Sequence, residues 1–568
     1  MLTESSHKKI FIHILIITFF IAIIFSLLLY RATLSVEITD EVYGISSILG
    51  IVQGQRPLYT SWFHTGWCLI APIYNLFIAL NKGSTEEIVL FSRISYLILT
   101  MIVTSFIAIR LAKANKNICY LALSCCITYV FASVFLLGYN QLTVLILLLV
   151  AYCLEILWHK REQSYLWLIP GISMGLACIN YPTLSAMTVI MAIVIVFFSE
   201  ALGLKKSLWF SLGVIIVGGI FALWILSETS LEQILTAVDG MLQSPHEKLK
   251  GNFLLFTIKA FLNPIKSPKI LATVLFFLLS SFFAHKRAIN NKLNIHFIIY
   301  IIFTILNCSL LIYMPVSESI NDLFAFIFWI ITISWLLLDK LISSKKYMSY
   351  LVIQFCFALT YALTSANITF FRGFAVSSIM TSFLAIRVLI ESSKGKNQLL
   401  TTLLALLVIA TPGLLHVYKF VYRDEPVIQL NTKVERGIYK GLYTTSDRRD
   451  FVLQMEDIMS NYTTSNDSLC VVTVEPMLYI MSKAKITTPH TWDPQFLGYG
   501  FTSAEPILSY FKKLNLEYPS VLVATNTEIK DFFENDKYEI KKFIKGNYNI
   551  LLFKEILGAK IALWRKKE

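Results

Sequence analysis

Two carboxylates stand side by side in the segment Thr39-Asp40-Glu41-Val42-Tyr43-Gly44, soon after a long apolar run. A carboxylate held just outside a membrane can take the proton from an acceptor hydroxyl or amine, which is general-base chemistry. A plainer reading competes with it. Asp40 could cap a helix over 42–52, since Asp is among the best N-cap residues. Val42, Ile45, Ile48, Leu49 and Val52 recur at helical spacing. A helix with that stripe would lie along the membrane surface and fix the height of the carboxylate.

The elements that must position this pair follow from composition. Of the 568 residues, 56% are hydrophobic and only 15% charged, and mean hydropathy is +0.66. Soluble domains sit lower, near 45–50% apolar, so the surplus calls for a lipid-facing surface. The apolar residues arrive in blocks long enough to cross a hydrocarbon core. The net charge of +13 does not point to nucleic acid, because Lys and Arg sit in short loops beside the blocks. The nine cysteines form no CxxC and lie mostly inside apolar runs, as small core residues do.

Spans are expected at 10–30, 88–109, 118–137, 141–158, 165–179, 183–199, 208–226, 270–284, 295–313, 322–338, 347–364, 373–390 and 398–418, about thirteen in all. The first is a signal anchor that stays on. The alternate loops that begin with Lys8 and Lys9 all carry positive charges, whereas turns near Asn140, Tyr181 and Ser317 carry none. The N-terminus is therefore expected in the cytoplasm, and the odd count places the C-terminal part outside. The run Trp67–Leu80 is too short to cross and reads as a re-entrant or interfacial helix on the outer face. That leaves a long first outer loop, 31–87. A second outer segment, 227–269, reads as a lid over an outward cavity or as a surface helix on lipid headgroups.

After Phe420 the composition turns polar. Strands are expected at 469–474, 521–524, 538–544, 549–553 and 560–564, and helices at 451–459, 504–514 and 528–535. The chain thus divides into a membrane domain, 1–420, and a small extracytoplasmic α/β domain, 421–568. The fold class is a mainly α membrane protein with that domain attached.

Around Asp40 and Glu41 further phrases follow in order: Gly54-Gln55-Arg56-Pro57-Leu58-Tyr59, Ser61-Trp62-Phe63-His64-Thr65-Gly66, the helix Trp67–Leu80, and Ser92-Arg93-Ile94 inside a span. With the turn Gly138-Tyr139-Asn140 and the stretch Gly171, Gly175, Asn180-Tyr181-Pro182, the series resembles the GT-C superfamily of polyprenyl-phosphate-sugar glycosyltransferases. That superfamily includes protein O-mannosyltransferases and the lipid A aminoarabinose transferase. Many of its members carry Lys where Asn180 stands. Glu475-Pro476-Met477-Leu478-Tyr479-Ile480 and Thr488-Pro489-His490-Thr491-Trp492-Asp493-Pro494 are similar to phrases of bacterial members, in which the outer domain covers the cavity. His490, Trp492 and Asp493 could touch an acceptor there, although a strand-edge loop packed on the membrane part is the favoured role.

The resemblance implies an inverting transfer with Asp40 as base and Glu41 beside it. The donor would be a polyprenyl-phosphate sugar, and the acceptor an envelope glycan such as lipopolysaccharide, a lipid or a protein. A leaving phosphate needs positive charge. Arg93, Arg56, His64, Lys248, Lys250 and Arg372 are the candidates. Arg93 is the sharpest, since an Arg inside a span costs a few kcal/mol unless it is paired, faces a polar cavity, or snorkels to the interface. Tyr59, Trp62, Tyr139 and Asn140 are the candidates to touch substrate, and an interfacial aromatic belt would explain the aromatics equally well. No cofactor is implied beyond a divalent metal, which some members use; the loop offers no clear ligand set past Asp40 and Glu41.

Two other classes remain open. A lipid-linked-sugar transporter or flippase would carry ionisable groups mid-membrane, where this sequence has few. An O-antigen polymerase-like enzyme would place its large loop between spans rather than after them.

Overall fold

The structure, a computed structural model, describes residues 22–23, 25–55, 66–114, 136–158, 163–199, 202–228, 421, 423–492, 504–513 and 515–568, with a few single positions besides. The expected spans from 270 to 418, the span over 118–137 and nearly all of the outer segment 227–269 fall outside these residues. The count of about thirteen spans therefore lies mostly beyond them as well.

Within the described part the chain is helical, with a small sheet region near its C-terminal end. The first helices are α1 (Asp40–Val52), α2 (Trp67–Leu80), α3 (Ile88–Ala114) and α4 (Tyr139–Leu157). They are followed by α5 (Leu168–Asn180), α6 (Ser185–Phe198) and α7 (Gly203–Glu228). Two stretches among the described residues, Ile88–Ile107 and Gly203–Glu228, are long and apolar enough to cross a membrane. α7 shows why such a helix needs a lipid face: Leu204, Leu208, Ile215, Ile220 and Leu223 are exposed along it. Its other face meets α5 backbone to backbone. A Cβ added at Gly171 would collide with the Phe210 carbonyl, and one at Gly213 with that of Leu168. Small residues permit this approach where no hydrophobic effect drives helices together.

α2 has the bounds that its apolar run implied. Trp67, Ile70, Ala71 and Tyr74 are buried, while Leu69, Ile73, Leu76 and Leu80 stay exposed. That is the division expected of a helix with protein on one side and lipid on the other. α1 departs from expectation. Its stripe was to rest on the membrane surface, yet Gly44, Ser46 and Gly50 are buried along with Val42, Ile45, Ile48 and Leu49. The helix is enclosed by protein: α2 lies on one side, and outer-domain residues lie on the other. The ring of Trp67 would touch a Cβ at Gly44, 3.0 Å from its nearest atom, so a glycine there lets the two helices close up.

The C-terminal region, 421–568, has a short ladder, β1 (Thr432–Lys433) with β2 (Tyr443–Thr444), then α8 (Ser446–Tyr462), β3 (Ser468–Val471) and α9 (Met477–Met481). β4 (Lys485–Ile486), α10 (Glu505–Lys513), β5 (Val521–Thr525), α11 (Ile540–Asn547), β6 (Tyr548–Ile556) and β7 (Ala559–Lys566) complete it. The five-stranded sheet runs β4-β3-β5-β7-β6. β3 is parallel to both β4 and β5, and β7 is antiparallel to β5 and β6. Leu557 and Gly558, both at positive φ, make the two-residue turn between β6 and β7, the geometry that matches strand twist.

Two sequence expectations fail here. The segment 538–544 is not a strand; most of it belongs to α11, because Ile540 and Ile544 are buried four residues apart on one helical face. The segment 528–535 is a series of turns rather than a helix.

Candidate functional site

α1 begins at Asp40, and the carboxylate of Glu37 closes its open end. Glu37 accepts the backbone N–H of Glu41 at 2.7 Å and that of Thr39 at 2.9 Å. The capping role considered for Asp40 thus belongs to Glu37. Glu37 is itself buried. Burial, and then the charge of nearby Asp40, push its carboxyl up from 4.5 to about 7. Sequence reasoning missed this residue, though its signal was present as a third acid, three positions before Asp40.

The two adjacent carboxylates part company at the helix start. Glu41 turns inward and meets Arg93 from α3 in a two-pronged pair, Nε to Oε1 at 2.6 Å and the second prong to Oε2 at 2.6 Å. Both side chains are 2–3% exposed. The remaining Arg93 N–H groups donate to the carbonyls of Ala32, Leu34 and Ser35 at 2.8 to 3.1 Å. Ala32 ends a helix that precedes α1, and the last carbonyls of a helix have no partner within it. Ser35 sits at φ 76, which turns its carbonyl toward the guanidinium. Five donors therefore meet five acceptors. Arg93 does not snorkel to the interface; it is buried and paired with a carboxylate. Its geometry leaves no N–H directed at a phosphate, so the phosphate role expected of it has no free donor to rest on.

Asp40 lies on the opposite side of the same turn and is one-third exposed. Its carboxylate is 3.4 Å from Arg423 of the C-terminal region. A second prong of the Arg423 guanidinium hydrogen-bonds Thr39 Oγ1. Arg423 was not singled out from the sequence, although Arg423-Asp424-Glu425 is a dense charge cluster just after the last expected span. Its neighbour Asp424 accepts the backbone N–H of Val36 and the hydroxyl of Thr444, each at 2.8 Å. Tyr439 donates to the carbonyl of Glu37 at 2.7 Å. Among the described residues, Arg423, Asp424 and Tyr439, which frame this turn from outside, come from the last third of the chain.

A row of rings runs along the same seam. Trp492 and His490 face Tyr43 at 6.4 and 5.2 Å, and the Tyr43 hydroxyl is 3.1 Å from His490 Nε2. Tyr43 meets Trp67 edge-on at 6.1 Å, Trp67 meets Tyr139 at 4.9 Å, and Tyr139 stacks on Tyr181 at 6.0 Å. Asn180 fixes Tyr139 by donating to its carbonyl and to Thr143 Oγ1. Asn140, half-buried on the same turn as Tyr139, makes no hydrogen bond among the described residues. The loop around His490 packs on α1 as the favoured reading had it: Ser47 meets Thr491 at 2.7 Å, and Gln53 and Gln55 bond both sides of the Ile486 backbone.

Arg56, Tyr59, Trp62, His64, Lys248, Lys250, Arg372 and Asp493 lie outside the described residues. No group of three or more His, Cys, Asp or Glu side chains able to hold a metal occurs among the described residues.

No protein-family model matches the chain. No curated protein matches it either. Among solved structures it is similar to the archaeal oligosaccharyltransferase AglB from Archaeoglobus fulgidus in complex with an inhibitory peptide and a dolichol-phosphate. The TM-score is 0.44 and the identity 11%, over 97% of this chain and 74% of that one.

Proposed function

We propose that the chain is an integral membrane glycosyltransferase of the GT-C kind. It moves a sugar from a polyprenyl-phosphate carrier to an acceptor on the outer face of the membrane, with Asp40 as base. The observation that carries this reading is the split between neighbours: Glu41 is sealed in a dry pair with Arg93, while Asp40 on the same turn faces outward beside Arg423. A base needs access to its substrate's proton, and only one of the two acids has it.

In this mechanism Asp40 takes the proton from the acceptor hydroxyl or amine as that atom attacks the anomeric carbon. The bond from carbon to the lipid phosphate breaks on the opposite face, so the configuration inverts, and the lipid phosphate departs with the electron pair. Charge grows on that phosphate and calls for nearby cations. Arg56, His64, Lys248, Lys250 and Arg372 remain the candidates for it. Glu41 and Arg93 act as positioning residues that fix the first turn of α1. The rings from Tyr43 to Tyr139 line the seam in which a sugar face would stack.

The test is Asp40→Asn in the full-length protein. Since Glu37 holds the helix end, the variant should insert and accumulate normally. Loss of a general base slows a reaction by about 10²–10⁴-fold, so the glycan product should vanish and the lipid-phosphate sugar build up. Normal product from this variant would refute the mechanism.

A further inference from the structure

The outer domain holds a feature that the transfer mechanism does not use. A cleft of about 1050 Å³ opens where the first loop, α8 and the carboxyl ends of the central strands meet. We infer that this cleft is a glycan-binding site for a hydroxyl-rich, uncharged oligosaccharide, and that it holds the sugar portion of the acceptor. The assignment as acceptor site rests on the transfer reading; the binding itself does not.

Three observations carry the inference. The first is topology. From β3 the chain crosses to β4 on one side and then returns to β5 on the other, so the strand order reverses around β3. In open sheets with parallel strands, ligands settle in the crevice outside the carboxyl ends at such a reversal. Here the cleft takes in Asn526, Thr527, Glu528 and Lys530 from the segment that follows β5, which lies beside the segment that follows β3. The two segments are tied together: the Thr525 N–H donates to Thr473 Oγ1 at 3.0 Å, and the Thr473 and Thr527 hydroxyls both donate to the buried carboxylate of Glu475. The wall segment that holds Thr527 is therefore fixed before any ligand arrives.

The second is the lining. Arg423, Arg448 and Lys530 share the walls with Asp424, Glu425, Asp447 and Glu528. A cleft of one sign would select a counter-ion; this one mixes cations with acids, one acid in excess. Sugar hydroxyls each donate and accept, so they can use both sets, whereas a polyanion would face the carboxylates. The volume is at the upper end for small-molecule sites, roughly 300–1,000 Å³, and suits several sugar units.

The third is the path to the base. Ile38 closes the cleft from the first loop two residues before Asp40, and Arg423 lines the cleft while its guanidinium reaches Thr39 and Asp40. Arg423 thus links the cleft to the Asp40 carboxylate, which lies just beyond the lining.

The experiment uses the full-length protein in detergent, screened on an array of neutral and acidic glycans, with the best neutral binder then titrated by calorimetry. At least one neutral oligosaccharide should bind, and acidic ones should bind less well. Glu528→Ala with Lys530→Ala, two exposed positions, should weaken it about tenfold or more. Arg436→Ala with Asp457→Ala, an exposed pair outside the cleft, should leave it unchanged. Absence of any neutral binder, a preference for acidic glycans, or indifference to the Glu528 and Lys530 changes would overturn the site. Asp40→Asn separates the two proposals: binding that survives while product remains normal sinks the transfer reading alone, and lost product with no glycan binding sinks the cleft alone.

Discussion

The pocket around Arg93 and the cleft around Arg423 each set an arginine against an acid of the same helical turn, and they differ in almost everything else. Around Arg93 the pair is dry, two-pronged and backed by three carbonyls. Around Arg423 the ions are a third to two-fifths exposed and 3.4 Å apart. Removing one member of a buried pair strands the other in a medium that cannot solvate it, whereas an exposed pair contributes little to stability. The inner pair therefore belongs to the architecture, and the outer one is the pair to which the proposed function gives the chemistry. Adjacent residues of one dipeptide have been given to opposite tasks by the directions in which a helix projects them.

The comparison breaks most readily at Arg93. Arg93→Leu should cost about 3–5 kcal/mol, because Glu41 is left charged and buried. Thermal unfolding in detergent would report it, and Arg93→Leu combined with Glu41→Leu should recover much of the loss. Arg93→Lys should not, since an ammonium cannot span both carboxylate oxygens. Unchanged unfolding of Arg93→Leu would return that arginine to the phosphate.

Glu37 gives the next effect. Its carboxyl titrates near 4.5 when the chain is unfolded and at about 7 when folded. Between those values the folded form keeps a proton that the unfolded form has lost, so stability falls as pH rises from about 4.5 to about 7 and then levels off. The drop is on the order of 3 kcal/mol. Glu37→Gln cannot ionise and should flatten that part of the profile, read as the difference in melting temperature between pH 5 and pH 7.5. A profile identical to the parent's would mean that Glu37 is already ionised in the folded protein.

The smallest change in stability is expected at Arg423. Arg423→Gln should alter it by less than about 1 kcal/mol, yet raise the acceptor KM more than it lowers kcat. Equal loss in both would mean that Arg423 serves the reaction and not the seating of the acceptor.

Local pattern revealed those parts of the molecule whose determinants are local. α2 was legible because a run that is apolar but for Asn75 lies between Gly66 and Asn81. The strands β5, β6 and β7 were legible because each is long enough to show its composition. β1, β2 and β4 are two residues each, too short for any alternation. The helix over 540–547 was hidden because Tyr538 and Ile540 start an alternation that Phe543 and Ile544 then break. At the site, Asp40 and Glu41 were visible as a pair of acids. Their division of labour was not, because it depends on Arg93, 52 residues from Glu41, and on Arg423, 384 residues from Thr39. Spacing along the chain carries no record of contacts at that range.

The stapling of the first loop to the outer domain carries a consequence for biosynthesis. The backbone of Tyr443 bonds to Thr33 and Ser35, and Tyr439 to Glu37 across 402 residues. A ribosome adding about 5–20 residues per second needs roughly 20 to 80 seconds to travel that distance. Throughout that interval the loop bearing Asp40 has emerged without the strand, the tyrosine and the arginine that frame it. A nascent chain stalled before residue 423 carries Asp40 without the residues that frame it, so this assembly forms only when the final segment has been made and has docked.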